Sequence, residues 1–140
     1  MEEPPSEERE ASKAGDLEGQ TRAWIEAVLG EKLGESALHE ELKDGVVLCN
    51  LMNKLKPGVC SNPSPSKMPF KQMENVAAYL LACKELGVAP FEMFMTVDLF
   101  ENKNFQAVLI NLQSVGRIAQ SLPTYSGPAF GAKVATANPR

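Results

Sequence analysis

The segment LKDGVVLCNLMN, residues 42–53, contains the strongest structural signal in the chain. Its Asp-Gly pair, Asp44 and Gly45, indicates a turn or the start of a helix, because both residue types suit turn conformations. After the pair, apolar side chains recur at the three- and four-residue spacing of one helix face, and they are Val47, Leu48, Leu51 and Leu55. The pattern predicts an amphipathic helix whose apolar face is buried in a domain core.

Helical periodicity of this kind occurs four times, within residues 21–31, 38–55, 71–86 and 104–120. Prolines and glycines separate these segments, and the alternation that is typical of strands is nearly absent. Pro90 is suited to open a short helical turn, since proline is favoured at the first position of a helix. We therefore predict an all-α domain of four main helices with short accessory turns, and Trp24 in its core.

Composition and charge limit the classes of function. The chain has 140 residues, is 44% hydrophobic and 23% charged, and is thus typical of a soluble globular domain. Its net charge is −4, and seven acids lie among residues 1–20. Because nucleic-acid binding depends on neutralised phosphates, we expect no nucleic-acid partner. No apolar run reaches the ~18–20 residues that cross a bilayer, so we expect no membrane partner either.

The two ends differ from the middle of the chain. Residues 1–15 are rich in glutamate and poor in apolar side chains, which predicts a flexible acidic leader rather than a secretory signal. Residues 16–121 are predicted to form the domain. Residues 122–140, punctuated by proline and glycine, are predicted to be an extended tail. The three cysteines show no close pairing, which favours reduced thiols in a cytoplasmic protein.

No motif for catalysis, cofactor binding or metal binding stands out. Glycine-rich phosphate loops are absent, and Cys49, Cys60 and Cys83 lack the spacing of a zinc site. The single histidine, His39, is interpreted as a surface or cap residue. Ser64 precedes a proline, and its phosphorylation is left open. We expect neither an enzyme nor a cofactor.

Polar residues in the turns are interpreted as structural. Asp44 with Gly45 marks the turn, and Asp98 is predicted to hold a late loop by hydrogen bonds. Asn102 or Asn104 is predicted to cap the last helix, because asparagine is favoured at that position.

Residues 42–53 resemble the central signature of calponin-homology domains. Three more blocks follow in the order of that family, namely FKQMENV (70–76), MTVDLFE (95–101) and the last helix (108–116). With Trp24 in the first helix, the resemblance covers about residues 18–121 and implies the calponin-homology fold. The sequences of the blocks at 70–76 and 95–101 are most similar to the calponin and transgelin class. The segment GPAFGAK (127–133) resembles the start of the repeat that follows the domain in that class.

The resemblance implies a non-enzymatic protein that binds or cross-links F-actin through the domain and its tail, at the cytoplasmic actin cytoskeleton. Since actin is acidic, the candidate contacts are cations and nearby aromatic groups: Lys133, Arg140, Tyr125 and Phe130 in the tail, and Lys103, Arg117, Arg22 and Lys32 near the last and first helices. The alternative is a signalling adaptor that uses the same domain without binding actin directly. The domain is predicted to be monomeric.

Overall fold

A computed structural model describes residues 6–60 and 62–123 and positions 125, 127 and 130, with side chains from residue 17 onward. This part of the chain contains no strand. Its helices are α1 (Ser6–Leu29), α2 (Leu38–Leu42), α3 (Val46–Leu55), α4 (Pro69–Leu86), a 3₁₀ turn (Pro90–Glu92), α5 (Thr96–Phe100) and α6 (Phe105–Ala119). Four long helices joined by short ones confirm the predicted all-α architecture. None of the helices in the described ranges has the length and apolar character of a membrane span.

Two helical segments differ from the sequence prediction. Helix α1 begins at Ser6, so the backbone of residues 6–15 is helical, while the flexibility predicted for this leader stays a prediction. Glutamate, alanine, lysine and arginine in that segment are good helix formers, which explains the extension. Residues 1–5 lie outside the described residues. The segment 38–55, treated as one helical stretch from the sequence, forms two helices because the turn at Gly45 separates α2 from α3.

The turn between α2 and α3 explains the Asp-Gly pair. Gly45 has a φ of 79°, in the left-handed region that favours glycine. A Cβ atom at this position would lie 2.5 Å from Cβ of Asn75 on α4. The Asp44 carboxylate accepts a hydrogen bond from the Val46 N–H at 3.0 Å, and the Asp44 carbonyl accepts one from the Asn75 amide at 2.9 Å. The start of α3 is thereby fixed against α4.

The core lies where α1, α3, α4 and α6 meet, and α5 contacts both α4 and α6. From α3, Leu48, Leu51 and Met52 are completely buried, and Leu112 of α6 is buried with them. Trp24 of α1 is 3% exposed. Isolated helices of this length are only marginally stable in water. Burial of their apolar faces against one another therefore supplies most of their stability.

Buried polar side chains connect the helices. The Tyr79 hydroxyl donates a hydrogen bond to Asn111 Oδ1 at 2.6 Å, and the Asn111 amide donates to the Glu92 carbonyl at 3.0 Å. His39 is not the surface or cap residue that the sequence predicts, because its side chain is 11% exposed and Nε2 lies 2.7 Å from the Leu99 carbonyl. His39 thus links α2 to α5.

Candidate functional site

Three buried core side chains, Cys49, Tyr79 and Cys83, have pKa values above their ordinary values. Burial raises the pKa of the Cys83 thiol to about 11, and burial also raises the pKa of Tyr79 well above its ordinary value. A hydrogen bond with the Cys60 sulfur, together with burial, raises the pKa of Cys49. Because thiols and phenols are nucleophilic when deprotonated, the raised pKa values keep these three groups in their protonated, weakly nucleophilic forms at neutral pH. Among the residues that the structure describes, no three His, Cys, Asp or Glu side chains are grouped to hold a metal ion.

Two of the sequence-predicted cations are exposed. Lys32, just after α1, has an 87% exposed side chain, and Lys103, just before α6, has one that is 62% exposed. The nearest carboxylates, from Glu26 and Glu101, each lie 3.9 Å from the respective ammonium group. Exposed pairs of this length contribute little, so both ammonium groups remain accessible to a partner.

The two arginines among the predicted actin contacts are engaged by groups within the fold, and their role toward actin stays a prediction. Arg22 donates hydrogen bonds to the carbonyls of Gly34 at 2.8 Å and Ser36 at 2.5 Å, which fix the loop between α1 and α2. Arg117 donates to both carboxylate oxygens of Glu92, at 3.2 and 3.1 Å. A partner would have to compete with these contacts.

Glu92 is a residue that sequence reasoning missed. The Ser114 hydroxyl donates to its carboxylate at 2.7 Å. This hydrogen bond and then the Arg117 guanidinium hold the pKa of Glu92 below its ordinary value of 4.5. The contacts join the 3₁₀ turn to α6, and the partners lie 22 and 25 residues further along the chain. In the sequence, Ser114 and Arg117 lie one helical turn apart on α6, which indicates a candidate site for a carboxylate. This spacing does not identify Glu92 as the acid that they bind.

The described part of the tail folds back onto the domain. Phe130 is 6% exposed, and its ring stacks on Trp24 with 5.2 Å between the centroids. The Trp24 indole N–H donates to the Tyr125 hydroxyl at 3.1 Å. Trp24 covers the Phe130 ring in this conformation, and the predicted contact of Phe130 with actin stays a prediction. Lys133 and Arg140 lie outside the described residues.

Two polar residues of the late loops act as helix caps. Asp98 Oδ2 accepts a hydrogen bond from the Met95 N–H at 2.8 Å, at the start of α5. Asn104 Oδ1 accepts one from the Ala107 N–H at 3.2 Å, at the start of α6. Both side chains satisfy backbone groups that the helices leave unpaired, which is a structural role.

Exposed apolar side chains were also missed from the sequence. Phe91 in the 3₁₀ turn is 85% exposed, and Met95, which follows in the same connection, is 67% exposed. The sequence does contain a signal for them, because the apolar residues after Pro90 lie in a turn too short to bury all of them on one face. Aromatic and methionine side chains are enriched in protein interfaces, so this turn is an additional contact candidate.

Comparison with known proteins identifies the domain. The calponin homology (CH) domain family matches residues 16–121, a range that includes the signature at residues 42–53. Myophilin of Echinococcus granulosus is 47% identical over 133 residues, which are 94% of this chain and 70% of myophilin. Rac guanine nucleotide exchange factor B of Dictyostelium discoideum is 37% identical over 85% of this chain and 10% of that protein. Calponin-2 of Mus musculus is 35% identical over 83% of this chain and 38% of calponin-2.

A solved structure supports the same assignment. The crystal structure of the calponin-homology domain of Rng2 from Schizosaccharomyces pombe matches with a TM-score of 0.71 at 25% identity, over 81% of this chain and 72% of that one. The chain therefore belongs to the calponin-homology family, as a non-enzymatic relative of myophilin and calponin-2.

Proposed function

We propose that the chain binds F-actin through its CH domain together with its tail, at the cytoplasmic actin cytoskeleton. The observation that carries the proposal is the similarity to myophilin and calponin-2, which extends over 94% and 83% of this chain. The resemblance to the calponin and transgelin class is what links such a chain to F-actin. Cross-linking of filaments is the further activity that a domain with a second contact in its tail would have.

Exposed positive charge gives the proposal a physical basis. Glu101 is the last acidic residue of the chain, and four basic residues follow it. One of them, Lys103, is accessible beside Glu101, and Lys133 and Arg140 extend the same charge into the tail. An acidic partner such as actin is attracted to ammonium and guanidinium groups of this kind, and the attraction weakens as salt is added.

Charge-reversal variants test which cations are used. Lys32→Glu combined with Lys103→Glu should weaken co-sedimentation with F-actin about three- to tenfold, because each exposed charge contributes up to about 1 kcal/mol. The matched control is Lys54→Glu combined with Lys84→Glu, two exposed lysines in the last turns of α3 and α4 that together undergo the same change of charge. An equal loss in the control would show a general charge effect and contradict the assignment of Lys32 and Lys103.

A signalling adaptor is the second candidate function. The similarity to Rac guanine nucleotide exchange factor B, at 37% identity over 85% of this chain, favours it. The exposed Phe91 and Met95 would supply the apolar contact for such a partner. Pull-down of kinases or exchange factors without actin, lost in a Phe91→Ala and Met95→Ser double variant, would support the adaptor, whereas direct pelleting with purified F-actin would contradict it.

A further inference from the structure

We propose that Tyr125 and Phe130 act as an intramolecular strap that docks on α1 and α6 and holds the tail back from F-actin. Its described positions are Tyr125, Gly127 and Phe130. The docking itself stands on the contacts below, whereas the effect on F-actin rests on the proposed function.

The strap makes two different contacts with one indole. Phe130 covers a face of the Trp24 ring, with the two planes 21° apart, and Tyr125 accepts the hydrogen bond of the indole N–H. A buried tryptophan needs an acceptor for this N–H, and the strap supplies it from a residue 101 positions away in sequence. The indole N–H of Trp24 therefore has this hydrogen-bond acceptor only when the strap is docked.

Two glycines make room for the docked strap. A Cβ atom at Gly116 on α6 would lie 2.7 Å from the Phe130 carbonyl oxygen and 2.9 Å from the ring atom Cδ2. A Cβ atom at Gly127 would lie 2.8 Å from the Tyr125 hydroxyl oxygen. Glycine inside a helix lowers helix stability by about 1 kcal/mol relative to alanine, so Gly116 is unfavourable for α6 by propensity alone. The close approach of Phe130 supplies a reason for its presence.

Docking opposes any partner that needs the same tail. While Phe130 is buried on Trp24, its ring is not available to F-actin, and Lys133 is tethered three residues beyond the docked ring. The apparent affinity of such a partner is reduced by the fraction of molecules whose strap is released. Release of the strap should therefore strengthen binding, although no residue of the tail is changed.

Gly116→Ala separates release of the strap from damage to the tail. The added methyl group collides with Phe130, and the tail keeps its own sequence. Alanine is also the better helix former, so α6 is not weakened by its own propensity. The matched control is Gly19→Ala in α1, where a Cβ atom meets nothing within 4 Å. Phe130→Ala is the second variant, which removes the docked ring.

Fluorescence of Trp24, the single tryptophan, reports docking without any partner. Acrylamide should quench this fluorescence more strongly in Gly116→Ala and in Phe130→Ala than in the unaltered chain, while Gly19→Ala should match the unaltered chain. Circular dichroism checks that each full-length variant keeps its helices. Unchanged quenching in both strap variants would overturn the docked strap.

Co-sedimentation with F-actin then tests the restraint. If the strap is released in about one molecule in ten, Gly116→Ala should bind F-actin about tenfold more tightly than the unaltered chain. Increased quenching with unchanged or weaker pelleting would overturn the restraint and leave a purely structural contact. If no variant pellets, the proposed function and the restraint both fail, and quenching alone decides whether the strap docks.

Discussion

Gly45 combines two constraints that no other residue type satisfies. Its φ of 79° favours glycine, and Cβ of Asn75 leaves no space for a side chain. Gly45→Ala should therefore lower the free energy of unfolding by about 1–3 kcal/mol, measured by urea denaturation. Gly30 has the same φ of 79°, but a Cβ atom there would meet nothing within 4 Å, so Gly30→Ala isolates the backbone cost of about 1 kcal/mol. Equal losses in the two variants would contradict the role of the Asn75 contact.

The roles of single residues are predictable from sequence where a side chain contacts its own neighbouring backbone. The Asp44–Gly45 pair indicates a turn because both residues act on their own backbone, and the same holds for Asn104 at the start of α6. His39 was misjudged because its partner, the Leu99 carbonyl, is 60 residues away. No pattern around a lone histidine specifies such a distant acceptor.

At the scale of elements, the 3₁₀ turn is held to α6 by the Glu92 carboxylate. The pKa of Glu92 is lowered in the folded protein, so folding favours its charged form. Its contribution to stability is therefore fully present above the ordinary pKa of 4.5 and is lost as the pH falls through the lower folded-state pKa.

Glu92→Gln should consequently lower the free energy of unfolding by about 1 kcal/mol near neutral pH and by less in acid. Urea denaturation over a pH series measures the gap between the variant and the unaltered chain. The matched control is Glu74→Gln on α4, whose side chain is 63% exposed and lies 3.8 Å from Lys71. A gap that stays constant down to acid pH would contradict the charge-dependent contact of Glu92.

The elements themselves were largely predictable. Apolar periodicity within 38–55, 71–86 and 104–120 is a local property, and it indicates the buried faces of α3, α4 and α6. The start of α1 was not predicted because residues 6–15 carry no apolar stripe in sequence.

At the scale of the whole molecule, the candidate site was only partly predictable. Exposure of Lys32 and Lys103 follows from their positions at helix ends, but the engagement of Arg22 and Arg117 depends on loops brought close by the fold. The docking of Phe130 on Trp24 joins positions that are far apart in sequence, and no local pattern indicates such a contact. The extended tail over residues 122–140 stays a prediction.

Co-sedimentation of the unaltered full-length chain with purified F-actin, over a series of salt concentrations, is the most direct measurement. The proposed function predicts that the chain pellets with filaments at low salt and that the bound fraction decreases as salt screens the exposed lysines. A chain that stays in the supernatant at the lowest salt concentration, with its helical content intact, would contradict actin binding as the function of this protein.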